Sequence, residues 1–152
     1  MKTQSPESEI DSFLAKFNPD VEAEARAARK KLRAVMPGAI ELVYDNYNAL
    51  VFGFSPTERP SDAVLSIAVF PQWVTLCFLQ GARLPDSKKL LKGGGNQVRH
   101  LRLAAASDLD KRDIRSLMAR TIKDSAKPFA KAPGPTVIRS VSAKQRPRRP
   151  KQ

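Results

Sequence analysis

Residues 63–79, AVLSIAVFPQWVTLCFL, decide the fold class, because they read as two consecutive strands joined by a tight turn. Ala63–Phe70 and Trp73–Leu79 are rich in the β-branched and aromatic residues that strands favour. Pro71-Gln72 leaves a two-residue link, which can join strands only in antiparallel fashion. The same proline divides the apolar run into halves too short to cross a bilayer, so the sequence predicts a hairpin and no membrane partner.

Helical and strand-like patterns flank this hairpin. Ser5-Pro6 and Asn18-Pro19 are helix start signals, and Pro37-Gly38 stops the second helix. A third helix is predicted from the capping sequence Ser107–Asp110 to about Asp124. Further strands are predicted at Ala39–Tyr44, Tyr47–Phe54 and Val98–Ala104. Alternation along the last of these predicts Leu101 and Leu103 on one face and His100 and Arg102 on the other. Together these elements predict an α+β domain over residues 5–125, with an antiparallel sheet of about five strands and two N-terminal helices and one C-terminal helix packed on it.

Residues 126–152 differ in composition from the rest of the chain. They contain five of its 12 prolines, eight of its 27 lysines and arginines, and no acid. The other 19 cations accompany all 15 aspartates and glutamates, so most of the net charge of +12 comes from this segment. Such a composition predicts a disordered basic tail, because it cannot bury enough apolar surface to offset the entropy of ordering.

Counts of cysteine and histidine indicate the redox compartment of the protein and limit the kinds of metal site and catalytic site that it can form. Cys77 is the single cysteine, so an intrachain disulfide is excluded and a reducing cytoplasm is predicted. One cysteine and one histidine cannot build a zinc site, and the sequence indicates no other cofactor. His100 is the single histidine that could act as a catalytic base, with Asp45 or Asp62 as its carboxylate partner.

The segment Lys88–Arg102, KKLLKGGGNQVRHLR, is called here the glycine-basic loop. Consecutive glycines allow backbone N–H groups to turn toward one point, and flanking cations favour an anion there. The predicted ligand-binding residues are Lys92, Gly93, Gly94, Gly95, Asn96, Arg99, His100 and Arg102. Ser87–Leu91 is predicted to form one helical turn before the glycines. A flexible connection and a contact with a protein partner are the alternative interpretations of the loop.

Three segments of the chain resemble the YdhG-like family (domain of unknown function 1801). They are Ile10–Leu14, Val35–Ala39 and, most specifically, the stretch Leu90–Arg102. The resemblance covers about residues 8–124 and implies a small α+β domain with helices packed on an antiparallel sheet. Some members are described as frataxin-like iron chaperones, which hold iron with acids on the first helix. That activity is not carried over, because the acids of this chain sit at two helix starts and the second helix then turns basic.

Three functional hypotheses follow from these patterns. The first is a non-enzymatic binding module that recognises an anionic ligand, such as a phosphate-containing small molecule, at the glycine-basic loop. The second is association with nucleic acid through the tail residues Arg146, Arg148, Arg149 and Lys151. The third is a small enzyme that uses His100.

Overall fold

Three α-helices and six β-strands make up residues 5–149, the part of the chain that the computed structural model describes. The helices are α1 (Pro6–Leu14), α2 (Pro19–Val35) and α3 (Arg112–Lys123). The strands are β1 (Ile40–Asp45), β2 (Leu50–Ser55), β3 (Leu65–Val69), β4 (Val74–Phe78), β5 (Arg99–Leu103) and β6 (Thr136–Val141). Short 3₁₀ helices cover Pro60–Asp62, Gly81–Arg83 and Ala106–Asp110.

The two N-terminal helices begin where the sequence predicts. The Ser5 hydroxyl accepts a hydrogen bond from the Ser8 amide at 3.2 Å, and Pro6 occupies the first turn of α1. Pro19 likewise begins α2, and this helix ends at Val35, just before the predicted stop. None of the three described helices has the length and apolar composition that crossing a bilayer requires.

The sheet has the strand order β5-β4-β3-β2-β1-β6. Strands β1 to β5 pair as antiparallel neighbours, and the Phe70 amide donates to the Trp73 carbonyl at 2.9 Å to close the predicted hairpin turn. The sixth strand runs parallel to β1. The fold is therefore α+β, but the prediction of about five antiparallel strands was wrong in detail, because the sheet is mixed and has six strands.

Strand β6 lies inside the segment that the composition predicts to be disordered. Thr136, Val137 and Ile138 pair with Glu41, Leu42 and Val43, and the register shifts by one residue after Val43. The prediction of disorder was wrong for this strand. A short β-branched run, Thr136-Val137-Ile138, is enough to extend an existing sheet edge, and composition averaged over 27 residues hides it.

Alternation along the strands sends one set of side chains toward the helices. On that face Val43, Phe52, Ile67 and Leu76 are fully buried against apolar residues of all three helices. In β5, Leu103 faces the same core while His100 and Arg102 are exposed on the opposite face, as the sequence predicts. The bridge between Lys92 and His100 places the His100 side chain beside the glycines, and Arg102 lies two residues further along the strand.

The end of β1 carries a fully buried carboxylate, Asp45. Its oxygens accept hydrogen bonds from Lys16 Nζ at 2.8 Å and from Arg148 Nη2 at 2.9 Å. The side-chain amide of Gln145 donates to the Asp45 carbonyl at 3.0 Å. Burial alone would raise the pKa of Asp45, but the hydrogen bonds from Lys16, Gln145 and Arg148 hold it below its ordinary value. The segment after β6 is thus anchored to the core by charge.

Replacing Arg148 with alanine is expected to lower the free energy of unfolding by about 3 kcal/mol, because it leaves part of the Asp45 charge buried without its partner. Lys16 still pairs with Asp45, so the loss stays at the lower end of the range for buried pairs. Urea denaturation followed by Trp73 fluorescence measures the change. Lys144→Ala is the matched control, because Lys144 is exposed on the same segment. Equal stabilities of the two variants would show that Arg148 does not anchor the segment.

Low pH should reduce the free energy of unfolding, in part because it protonates the Asp45 carboxylate. Because the folded-state pKa of Asp45 is depressed, its contribution is fully present above the unfolded pKa of about 4 and is lost as the pH falls through the lower folded value. We expect the unfolding free energy of Asp45→Asn to fall less steeply than that of the wild type between about pH 4 and pH 2. Urea titrations across this range check the slopes, and parallel slopes would contradict the assignment.

Candidate functional site

The glycine-basic loop is organised around the guanidinium group of Arg99. Arg99 Nη1 donates to the carbonyls of Gly94 at 3.0 Å and Val98 at 2.8 Å, and Nη2 donates to the Gly95 carbonyl at 2.9 Å. Gly93 and Gly95 have φ angles of +116° and +86°, in the left-handed region that residues with a side chain rarely adopt. The glycines therefore allow the chain to curl around a cation of its own loop.

This arrangement fixes the direction of two backbone amides. In a planar trans peptide the carbonyl of one residue and the N–H of the next point in opposite directions. Because the carbonyls of Gly94 and Gly95 point at Arg99, the N–H groups of Gly95 and Asn96 point away from it. Neither N–H has a hydrogen-bond partner within residues 5–149. The loop thus offers two adjacent free donors on its outer side.

Basic side chains collect on one face beside these donors. Lys92 and His100 form an antiparallel bridge, with backbone hydrogen bonds of 2.7 Å and 2.9 Å between them, so their side chains share a face. The His100 ring also lies against Gly93, since a Cβ built on that glycine would be 3.4 Å from His100 Nδ1. Arg102 lies two residues further along the strand and on the same face. The structure therefore brings Lys92, His100 and Arg102 to one side of β5.

The predicted helical turn at Ser87–Leu91 does not form. Instead the Asp86 carboxylate accepts hydrogen bonds from the amides of Leu90 at 2.9 Å and Leu91 at 2.8 Å. An aspartate that binds backbone groups a few residues ahead stabilises a turn in place of a helix. Lys88 pairs with Asp113 of α3 at 2.9 Å, and Lys92, directly before the glycines, is exposed.

Arg102 stacks on an aromatic pair at the start of β4. Its guanidinium carbon lies 4.4 Å from the centre of the Trp73 ring, and the Phe70 and Trp73 rings are 5.4 Å apart with an interplanar angle of 30°. This cation–π contact fixes the direction of Arg102 while its charge stays exposed. The sequence indicates that these aromatic residues lie in the sheet region but gives no sign of this contact.

His100 has no acidic partner in the described chain. Within residues 5–149 no carboxylate forms a hydrogen bond or an ion pair with its ring. Asp45 is paired with Lys16 and Arg148 on the other face of the sheet, and Asp62 is paired with Lys127. The residue opposite His100 on β4 is Cys77, and burial raises the pKa of that thiol. A raised thiol pKa favours a packing role over a nucleophilic one.

The arginines of the C-terminal segment are engaged with the domain. Arg148 is buried against Asp45 and also donates to the backbone carbonyls of Asn46 and Tyr47. Arg149 donates at 3.3 Å to the carbonyls of Ala15 and Lys16, just past the end of α1. Arg146 lies 6.0 Å from the centre of the Tyr47 ring. The fourth predicted residue, Lys151, lies outside the described residues.

Three of the acids near the two helix starts, Glu7, Asp11 and Glu22, are paired with arginines of α2. Glu7 contacts Arg29 at 2.6 Å and Asp11 contacts Arg26 at 2.8 Å. The hydrogen bond from Arg29 lowers the pKa of Glu7. Across residues 5–149 the structure contains no group of three or more histidine, cysteine, aspartate or glutamate side chains placed to hold a metal ion.

Sequence patterns miss a second set of residues, which line a cavity at the end of α3. Gln80 and Arg83 follow β4, Thr121 lies in the last turn of α3, Asp124 comes directly after that helix, and Lys127 is the second residue of the segment predicted to be disordered. No motif connects these positions, because they come from separate parts of the chain and meet only in the folded domain.

No protein-family model matches the chain, and no curated protein or solved structure shows significant similarity to it. The assignment to the YdhG-like family therefore stays a prediction that depends on the three segments quoted above.

Arg99→Lys is expected to loosen the glycine-basic loop without unfolding the domain. A lysine retains the charge but cannot bind three carbonyls with a rigid fork. The heteronuclear NOE values of residues 93–98 should fall, while the unfolding free energy changes by less than about 1 kcal/mol. Arg112→Lys, at an exposed position of α3, serves as the control. Unchanged NOE values in Arg99→Lys would show that Arg99 does not order the loop.

Proposed function

We propose that this protein is a non-enzymatic binding module that recognises an anionic group at the glycine-basic loop. The observation that carries the proposal is the pair of outward-pointing, unpartnered N–H groups of Gly95 and Asn96, held in place by Arg99. Exposed N–H groups without a partner of this kind can donate hydrogen bonds to a bound oxyanion. The Arg99 guanidinium donates to the carbonyls of the same two peptide units, which polarises their N–H groups and strengthens them as donors.

The surrounding charge supports an anion over a neutral ligand. Lys92, His100 and Arg102 share one face, and neither Lys92 nor Arg102 pairs with a carboxylate within residues 5–149. A carboxylate or phosphate could therefore bind without displacing an internal ion pair. A phosphate offers more acceptor oxygens to these donors than a carboxylate, so phosphate-containing ligands are the favoured class.

The alternative, in which the basic tail binds nucleic acid, has less support from the geometry. Arg148 would have to leave a buried ion pair to reach a phosphate, and its removal exposes the Asp45 charge to an apolar environment. Arg146 and Arg149 are exposed and retain the capacity for phosphate contacts. Deleting residues 126–152 is not a clean test, because the deletion also removes β6. Charge reversal at Arg146 and Arg149 tests the alternative without that loss.

Titration of the ¹⁵N-labelled protein with inorganic phosphate should shift the amides of Gly93–Asn96. Lys92→Ala and Arg102→Ala should each weaken binding by roughly three- to tenfold, since a charge-assisted hydrogen bond contributes about 1 kcal/mol or more. The affinity should also fall as salt is added, because the donors are exposed.

Lys131→Ala provides the control, since Lys131 is exposed on a segment remote in sequence from the loop. An absence of shifts at Gly93–Asn96 at millimolar phosphate would overturn the proposal. A parallel titration with a short RNA separates the alternatives. Loss of RNA binding on reversing Arg146 and Arg149, with Lys92→Ala unaffected, would favour the tail.

A further inference from the structure

One face of the sheet is left bare by the three helices of residues 5–149. The strand residues that enter the core with those helices, such as Val43, Ile67 and Leu76, belong to the opposite face. A Cβ built on Gly53, in the middle of the bare face, would have only the Leu42 carbonyl oxygen of the neighbouring strand within 4 Å, at 3.6 Å. A packed layer would bring further atoms within that distance, because protein interiors are close-packed. This bare face is called here the open face.

Strand pairing arranges the open face in two rows that cross the sheet. One row contains Lys92, His100, Cys77, Ser66, Gly53 and Leu42. The other contains Arg102, Thr75, Ala68, Val51 and Tyr44. The small side chains in the middle of the sheet are shielded by taller neighbours, so a ligand would contact those neighbours.

The tallest group on the open face is a stack of three side chains. Arg102 lies 4.4 Å from the centre of the Trp73 ring, and the Phe70 ring lies 5.4 Å from that ring at 30°. Phe70 directly follows β3 and Trp73 directly precedes β4, so the strand order β3-β4-β5 puts Trp73 between the other two. Both rings are half-buried and Arg102 is exposed. The outer sides of Phe70 and Arg102 can therefore each receive another flat group.

Charge on the open face is of one sign. The strands contain two acids, Glu41 and Asp45, and both are buried on the helix side together with Val43. The open face instead carries His100 and Arg102 on β5, with Lys92 bridged beside them. The face thus combines half-buried aromatic rings with basic side chains along its β5 edge.

Two further acids border this edge without neutralising it. Asp20 and Glu24 of α2 line a groove together with Trp73 and Arg102. Neither acid forms an ion pair with Arg102 within residues 5–149. Like charges repel, so the phosphates of a bound ligand would lie toward His100 and away from these acids.

Stacked rings beside a row of cations suit a single-stranded nucleic acid. Unpaired bases stack on aromatic side chains and on Arg guanidinium planes, while cations contact the phosphates. Strands β1 to β5 span four interstrand distances, about 19 Å in all, and sheets of similar width stack two or three bases. A second copy of the chain fits less well, because it would bring two sets of cations together without acids to pair with them.

We propose that the open face binds single-stranded nucleic acid, with bases stacked at the Phe70 and Arg102 ends of the three-membered stack and phosphates along β5. The inference rests in part on the proposed function, because Lys92, His100 and Arg102 would hold the phosphates. It goes further in assigning the bases to the aromatic residues and in naming the class of ligand.

Hexauridylate and an abasic ribose-phosphate hexamer test the proposal on the full-length protein, because they share their phosphates and differ in the bases. Trp73 is the single tryptophan, so bases that stack beside it should quench its fluorescence. Hexauridylate should bind at least about fivefold more tightly than the abasic hexamer. Equal affinities of the two hexamers would overturn the proposal. Hexathymidylate, titrated in parallel, compares DNA with RNA as the source of the strand.

A substitution at Phe70 tests the stack directly. Phe70→Leu keeps an apolar side chain but removes the ring, so it should weaken hexauridylate binding at least about fivefold and leave the affinity for the abasic hexamer unchanged. Tyr47→Leu is the matched control, because Tyr47 is an exposed aromatic residue in the turn between β1 and β2. Far-UV circular dichroism checks that both variants fold. Unchanged hexauridylate affinity in a folded Phe70→Leu protein would contradict the proposal.

Failure of this inference can be told apart from failure of the proposed function. Shifts of Gly93–Asn96 with inorganic phosphate, without a preference for hexauridylate over the abasic hexamer, would overturn this inference alone. Hexauridylate binding that depends on Phe70, without those phosphate shifts, would support this inference and overturn the anion site.

Two further results would assign the open face or the nucleic acid differently. Hexauridylate binding that is lost on reversing Arg146 and Arg149 but kept in Phe70→Leu would place the strand on the tail. A dimer in sedimentation experiments that Phe70→Leu dissociates would assign the open face to a second copy of the chain. Either result would overturn the proposal.

Discussion

The alternation of side chains across the sheet is the constraint on which the rest of this structure depends. Side chains of one face, such as Val43, Phe52 and Leu76, turn toward the three helices and enter one apolar core, whereas His100 and Arg102 of β5 turn to the other face. A shift of one residue in the register of β5 would bury His100 and Arg102 and expose Leu103. The pairing of β5 with β4 therefore determines which β5 side chains are exposed as well as which ones enter the core.

Two buried carboxylates of β1 bind segments that are distant from this strand in sequence. Glu41, near one end of the strand, accepts two hydrogen bonds from Arg29 and one from Thr136 of β6. Asp45, at the other end, binds Lys16 and Arg148. Each carboxylate is almost completely buried, so each would be costly without its partners. These contacts explain why a basic, proline-rich segment is ordered against the domain.

The long connection between β4 and β5 contains the glycines of the proposed anion site. Gln80 and Arg83 at its beginning line the cavity at the end of α3, and the glycines near its end wrap around Arg99. Long connections on a rigid sheet are common positions for recognition, since they can vary in conformation while the strands hold their ends.

The sequence by itself determined the elements that depend on local signals. Proline and serine start signals located α1 and α2, β-branched residues and Pro71-Gln72 located the central hairpin, and alternation in β5 assigned the faces of Leu103 and His100. The glycines and their flanking cations also indicated where an anion could bind. All of these are properties of neighbouring residues, which share a turn, a helix face or a strand.

The tertiary structure decided the features that depend on contacts between residues far apart in the chain. The order of β6, the burial of Arg148 and the role of Arg99 in holding the glycine carbonyls each require a specific contact that composition does not reveal. The tail had the composition of a disordered segment, but one exposed sheet edge and one buried carboxylate were enough to order its described part. The physical reason is that a buried charge or an unpaired strand edge needs a partner, and the fold supplies that partner from a distant part of the chain. The residues on either side of the charge or the edge do not identify this partner.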